Sequence, residues 1–181
     1  MFSLNEKVVY PGHGVAEIVR IVEKVVAGHR MSYYELKFLN NDMTVLVPVE
    51  GASEAAIRPI SSRKSVQDAL GVLSQPVRRL SSYEFTASCW NKRNKEYQIK
   101  LRTGGLRELS EIYRDLYSMG TQKELSFGEK NLLQQAELLL AEEISLVERL
   151  ERDRAVQYLR SLCLKPYKTC SITPQTPGQV L

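Results

Sequence analysis

The chain's single tryptophan, Trp90, lies in the run CWNKRNKEYQIKLR at residues 89–102, followed at once by Lys92, Arg93 and Lys95 and then by Lys100 and Arg102. An indole beside that much positive charge suits one chemistry in particular. The cations hold backbone phosphates while the ring enters a groove as an apolar wedge and partly unstacks a base step. The plainer assignment is that Trp90 fills a helical core, where aromatics supply much of the packing and the indole N–H needs one partner. On the residues alone both assignments stand open.

No comparable set of residues supports catalysis. YPGHG at residues 10–14 has glycines, but lacks the Lys-Ser/Thr of a P-loop and the strand-to-helix context of a dinucleotide turn. A pairing of Cys89 with His13 has no local signature of a Cys–His nucleophile. Three cysteines, Cys89, Cys163 and Cys170, are odd in number and show no C-x-x-C spacing, which argues against a disulfide framework and against structural zinc. His13 and His29 both lie in Gly-containing turns without a Cys or His at ligand spacing, so a turn role is expected for each. The expected function is binding, with no enzymatic activity, no metal and no cofactor.

The charge distribution places that binding centrally. The net charge of +4 over 181 residues hides an asymmetry: residues 1–62 carry six basic and seven acidic side chains, residues 63–130 thirteen and eight, and residues 131–181 six and six. Within the central third, residues 78–102 hold seven cations against Glu84 and Glu96 alone. Such a run is an anion-binding signal when it lies on one face and a solvated surface when it does not. With 43% hydrophobic residues the chain can bury a core. It has no apolar run of membrane-spanning length and no charged n-region followed by an apolar stretch, which reads as cytoplasmic.

Two kinds of element position these residues. The first sixty residues, rich in Val, Ile and Tyr and cut by PGHG, AGHR and NND, predict four or five short strands. Gly12 and Gly14 can take positive φ where the chain reverses, and Pro48 belongs on an edge or strand end because it cannot donate to a ladder. So few strands with open edges predict a small curled barrel. Beyond IRPISSRKS the period changes. Val66, Ala69, Leu70 and Leu73 mark one face of a short helix that Pro76 ends. A second helix is expected over about residues 89–103, closed by Gly104-Gly105, and a third over about residues 106–118, stopped by Gly120. SFGE at residues 126–129 has the pattern of a capping box. It opens a long amphipathic helix through Leu132, Leu133, Ala136, Leu139, Leu140, Ile144, Val147 and Leu150, with room to extend to Leu162. The proline-containing end of the chain is expected to be a mobile tail.

In this order, KVVYPGHGVAEI, MTVLVPVEG, IRPI, CWNKRNKEYQIKLRTGGLRELSEIYRDLY and LSFGEKNLLQQAELLLAEEI resemble the CarD/CdnL-like bacterial transcription regulators over most of residues 6–147. The specific part is the tryptophan-plus-basic run ahead of glycine, a helix and LSxGEK. The resemblance implies an α+β chain. A small Tudor/SH3-like β-barrel over residues 1–62 would dock on the lobe of the RNA polymerase β subunit, as the similar domain of transcription-repair coupling factors does. An all-α bundle of four to five helices over residues 63–163 would reach promoter DNA at the upstream edge of the melted region, and residues 164–181 would be a flexible tail. In such proteins the tryptophan at the position of Trp90 wedges into the minor groove without sequence preference, and Lys92, Arg93 and Lys95 would contact phosphates. Lys24, Leu46 and Pro48 fall where polymerase is contacted. Some members carry arginines in place of Lys24 and Leu46, so an ion pair there is altered or replaced by apolar contact, and Leu46 and Pro48 on an edge strand suit strand addition. The expected partners are polymerase and promoter DNA, with no membrane, and the chain is expected to be a monomer.

Overall fold

The computed structural model describes residues 2–41, 43–50, 57–77, 81, 83 and 86–163. The expected tail at 164–181, with Cys170, and the cations Arg78 and Arg79 lie outside the described residues.

The N-terminal part is one antiparallel sheet of β1 (Lys7–Tyr10), β2 (Gly14–Val26), β3 (His29–Phe38), β4 (Thr44–Pro48) and β5 (Arg58–Pro59), in spatial order β4-β3-β2-β1-β5. Gly12 and Gly14 do take positive φ, 77° and 104°, at the β1–β2 turn. One face of the sheet carries Val8, Ala16, Ile18, Tyr34, Leu36, Phe38 and Val47, which with Ile57 form a buried cluster. The expected barrel does not close: among the described residues β4 and β5 are the two outer strands and do not pair with each other. Each ends in a proline, Pro48 and Pro59, which lacks the N–H that a closing ladder needs.

Five helices follow: α1 (Arg63–Leu73), α2 (Ala87–Thr103), α3 (Leu106–Gln122), α4 (Phe127–Glu148) and α5 (Arg152–Cys163). They share a second core, to which α3 gives Leu106, Leu109, Ile112, Tyr113, Leu116 and Met119 and α4 gives Leu132, Ala136, Leu139, Leu140 and Ile144. Gly104 ends α2 in the left-handed conformation, φ 63°, and its N–H donates to the Lys100 carbonyl. Two expectations about helix ends are corrected. Gly120 does not stop α3, which runs on to Gln122: its backbone is not in the left-handed conformation that ends a helix. Nor does the long helix extend to Leu162. It ends at Arg149, in the left-handed region at φ 55°, and α5 starts afresh.

The two parts are fastened along α4. Arg58, in β5, donates to both carboxylate oxygens of Glu143 at 2.7 Å and to the Gly104 carbonyl at 2.6 and 3.0 Å. The Ser61 N–H adds a third donor to Glu143 at 2.9 Å. The YPGHG turn sits on the helices: Gln135 Nε2 donates to the Gly12 carbonyl at 3.2 Å, the Val15 N–H donates to Glu142 Oε2 at 3.2 Å, and Pro11 packs on Gly104. A Cβ at Gly14 would collide with the Glu142 carboxylate, and one at Gly104 would stand 2.8 Å from Pro11 Cβ. Gly104 is therefore required by close approach as well as by φ, and Gly14 by its φ.

Candidate nucleic-acid and polymerase interfaces

α2 presents two faces. Tyr97 and Leu101 are buried in the helical core, and Trp90, two turns earlier on the same side, is half-buried against it. A Cβ at Gly128, in the first turn of α4, would lie 3.7 Å from Trp90 Cζ2. The indole is thus anchored on one side without being sealed. Lys92, Lys95, Ile99 and Arg102 are exposed, and their spacing of three, four and three residues puts them on one stripe about 15 Å long. Lys92, Lys95 and Arg102 make no ion pair among the described residues, whereas Lys100 is committed to Glu111 Oε2 at 2.6 Å. The hydrogen bond from Lys100 holds the Glu111 carboxyl below its ordinary range.

Arg93 does not join that stripe. It is half-buried, its Nη2 lies 3.9 Å from Met119 Sδ on α3, and it lines a small cavity with Tyr97, Asp115 and Met119. Burial pushes the Tyr97 hydroxyl far above its ordinary range, and Asp115 adds to the effect. The first turn of α2 has no acidic residue, and its N-cap, Thr86, makes no side-chain hydrogen bond to the helix. Among the described residues nothing negative stands in that first turn to repel a phosphate.

The start of α4, against which Trp90 rests, is rigidly set. The Glu129 N–H donates to Ser126 Oγ at 3.4 Å while the Ser126 N–H donates to Glu129 Oε2 at 2.8 Å, as SFGE predicts. Lys123 Nζ reaches both Glu129 oxygens at 3.0 Å. Burial alone would raise the Glu129 carboxyl, but the Ser126 amide and Lys123 outweigh it and hold it low.

In the sheet, register decides which residues share a face. Leu46 is opposite Glu35, Pro48 opposite Tyr33, and Lys24 opposite Met31. Residues 31, 33 and 35 alternate to one side, so Lys24, Leu46 and Pro48 lie on one sheet face together with Arg20, Val22 and Tyr33. The opposite face is the one buried through Tyr34, Leu36 and Val47. Arg20 Nε pairs with Glu35 Oε2 at 2.8 Å on the outer face. β4 is the edge strand of this surface, with Leu46 and Pro48 half-buried.

Sequence reasoning missed Arg102, whose place on the stripe was present in the spacing, and Arg58, whose role depends on contacts that no local pattern encodes. Among the described residues no His, Cys, Asp or Glu cluster could hold a metal ion, and no helix is long and apolar enough to cross a membrane. Burial pushes the Cys163 thiol up to about 11, so it is protonated at neutral pH.

The chain thus combines an antiparallel sheet with a helical bundle whose second helix carries Trp90 and a stripe of exposed cations. Residues 2–61 match the family model of the CarD-like/TRCF RID domain, and residues 77–160 match that of the CarD C-terminal domain. The chain is also 28% identical over 150 residues to "Putative transcription factor YdeB" of Bacillus subtilis (strain 168), covering 82% of this chain and 93% of that protein. The chain belongs to the CarD/CdnL-like family of transcription regulators.

Proposed function

We propose that the chain docks on the lobe of the RNA polymerase β subunit through residues 1–62 and stabilises open promoter complexes through residues 63–163. Lys24, Leu46 and Pro48 form the polymerase contact, with the free edge of β4 available for strand addition. Trp90 enters the minor groove at the upstream edge of the bubble, Lys92 and Lys95 hold phosphates, and Arg102 extends their track. Arg93 braces α2 on α3 and borders the phosphate track. The setting is the cytoplasm, the protein acts as a monomer, and no chemical step is involved.

One observation carries this reading: a half-buried indole and three exposed cations that make no ion pair among the described residues stand on one helix. Stacking by one aromatic contributes roughly 1–3 kcal/mol per base, which at about 1.4 kcal/mol per factor of ten shifts a melted/closed equilibrium about 5- to 150-fold. The ring must bind melted DNA better than closed DNA, since equal affinity shifts nothing. Three cations alone bind DNA weakly at physiological salt, and docking on polymerase supplies the effective concentration.

The packing of Trp90 on the helical core also suits an adaptor that binds no DNA. Adding the protein to polymerase and promoter, then challenging with competitor, separates the two. A longer open-complex lifetime supports the DNA contact; an unchanged lifetime with intact polymerase binding leaves the adaptor.

A further inference from the structure

Among the described residues the most exposed large apolar side chain is Phe127, at 80%, the first residue of α4. A phenyl ring forgoes its burial there, although the surrounding backbone is held by defined hydrogen bonds. Ser126 and Glu129 close a capping box around it, and Lys123 pins Glu129. The ring has no aromatic neighbour among the described residues and takes no part in the helical core. Its exposure is thus presented from a rigid turn.

Phe127 is also next to the proposed DNA contact. The following residue, Gly128, is the one whose Cβ position lies 3.7 Å from Trp90 Cζ2, and consecutive Cα atoms are about 3.8 Å apart. The half-buried indole thus packs beside the residue that follows the solvent-exposed Phe127. Lys130, one turn further along α4, is exposed, and among the described residues its ion pair is with the exposed Glu124 at 2.9 Å. An exposed apolar ring one turn from a cation, continuous with the proposed DNA contact at Trp90, suits a partner that is polyanionic and offers flat apolar faces. An unpaired nucleobase on its phosphate backbone has both properties and takes a stacked ring without sequence preference.

We propose that Phe127 is a second aromatic contact to promoter DNA, stacking on an unpaired base at the bubble edge beside the site of Trp90. The inference rests on the function proposed above. The test uses the full chain with polymerase and promoter, comparing wild type, Phe127→Ala, Trp90→Ala and Phe127→Trp, together with photocrosslinking from p-benzoylphenylalanine at position 127. Phe127→Ala is expected to shorten the open-complex lifetime at least about fivefold without lowering thermal stability, Phe127→Trp to retain it, and the crosslink to form on a DNA strand. If Phe127→Ala matches wild type while Trp90→Ala shortens the lifetime, Phe127 is not a DNA contact and the proposed function stands. If neither variant shortens it, the proposed function itself fails. A crosslink confined to a polymerase polypeptide also overturns the inference and assigns the ring to a protein partner.

Discussion

Arg58→Ala tests the joint that fixes the sheet relative to the helices. The guanidinium donates to both Glu143 oxygens at 2.7 Å and twice to the Gly104 carbonyl, and the Glu143 side chain is 2% exposed against 23% for Arg58. Removing Arg58 leaves a buried carboxylate with the Ser61 N–H as its remaining hydrogen-bond donor. Removing one partner of a buried pair costs about 3–5 kcal/mol, and the partial exposure of Arg58 puts this case near the lower end, at about 3 kcal/mol. Removing both charges is much cheaper, because no uncompensated ion stays buried. Arg58→Met with Glu143→Leu is therefore expected to be more stable than Arg58→Ala, with a coupling of at least about 2 kcal/mol between the two positions. Urea unfolding of Arg58→Met, Glu143→Leu and the double variant, followed by circular dichroism and by Trp90 fluorescence, gives the cycle. Singles that add to the double within about 0.5 kcal/mol would refute the joint. Because the joint sets where α2 stands relative to the docking face, Arg58→Ala is further expected to bind polymerase normally while prolonging open complexes less than wild type.

Leu46→Asp puts a charge on the edge strand of the outer sheet face and is expected to abolish polymerase binding in pull-down while leaving the helical circular dichroism unchanged; retained binding would move the contact elsewhere. Lys92→Glu with Lys95→Glu is expected to weaken promoter engagement and to reduce the slope of log affinity against log salt by about 2, roughly one for each lost phosphate contact. An unchanged slope would show that these cations face away from DNA. Burial raises the Glu142 carboxyl above its ordinary value of 4.5. Its contribution to stability is therefore fully present below 4.5 and is lost as pH rises through the folded value. Glu142→Gln removes this dependence, so urea unfolding from pH 4 to 7 should show its stability gaining on wild type as pH rises; a constant difference would contradict the raised value.

What local pattern can encode, the sequence shows well. The 3.6-residue period marks the buried side of α3 through Leu106, Leu109, Ile112, Tyr113 and Leu116, and SFGE marks the start of α4. Gly104 marks the end of α2 because only a left-handed residue closes it there without strain. The break after α4 carries no such signal: Arg149 adopts the left-handed conformation without being glycine, so apolar spacing runs through it toward Leu162. Closure of the barrel depends on pairing between β4 and β5, which lie at opposite sides of the sheet order, and pattern within a strand is silent on it. The use of YPGHG is equally non-local, since Val15 meets Glu142 across 127 positions of chain. Arg93 is the instructive case in the candidate site. It stands four residues before buried Tyr97, and that spacing places it on the inner flank of α2, whereas Lys92 and Lys95 fall on the stripe with Arg102.

The central claim is that the indole of Trp90 acts on separated strands. Its most direct test is the dissociation rate of preformed open complexes at saturating protein, wild type against Trp90→Ala, with polymerase binding measured in parallel. The account predicts that the variant binds polymerase as wild type does and that its complexes decay about 5- to 150-fold faster. Equal decay rates at equal occupancy would contradict it and leave Trp90 as a packing residue of the bundle.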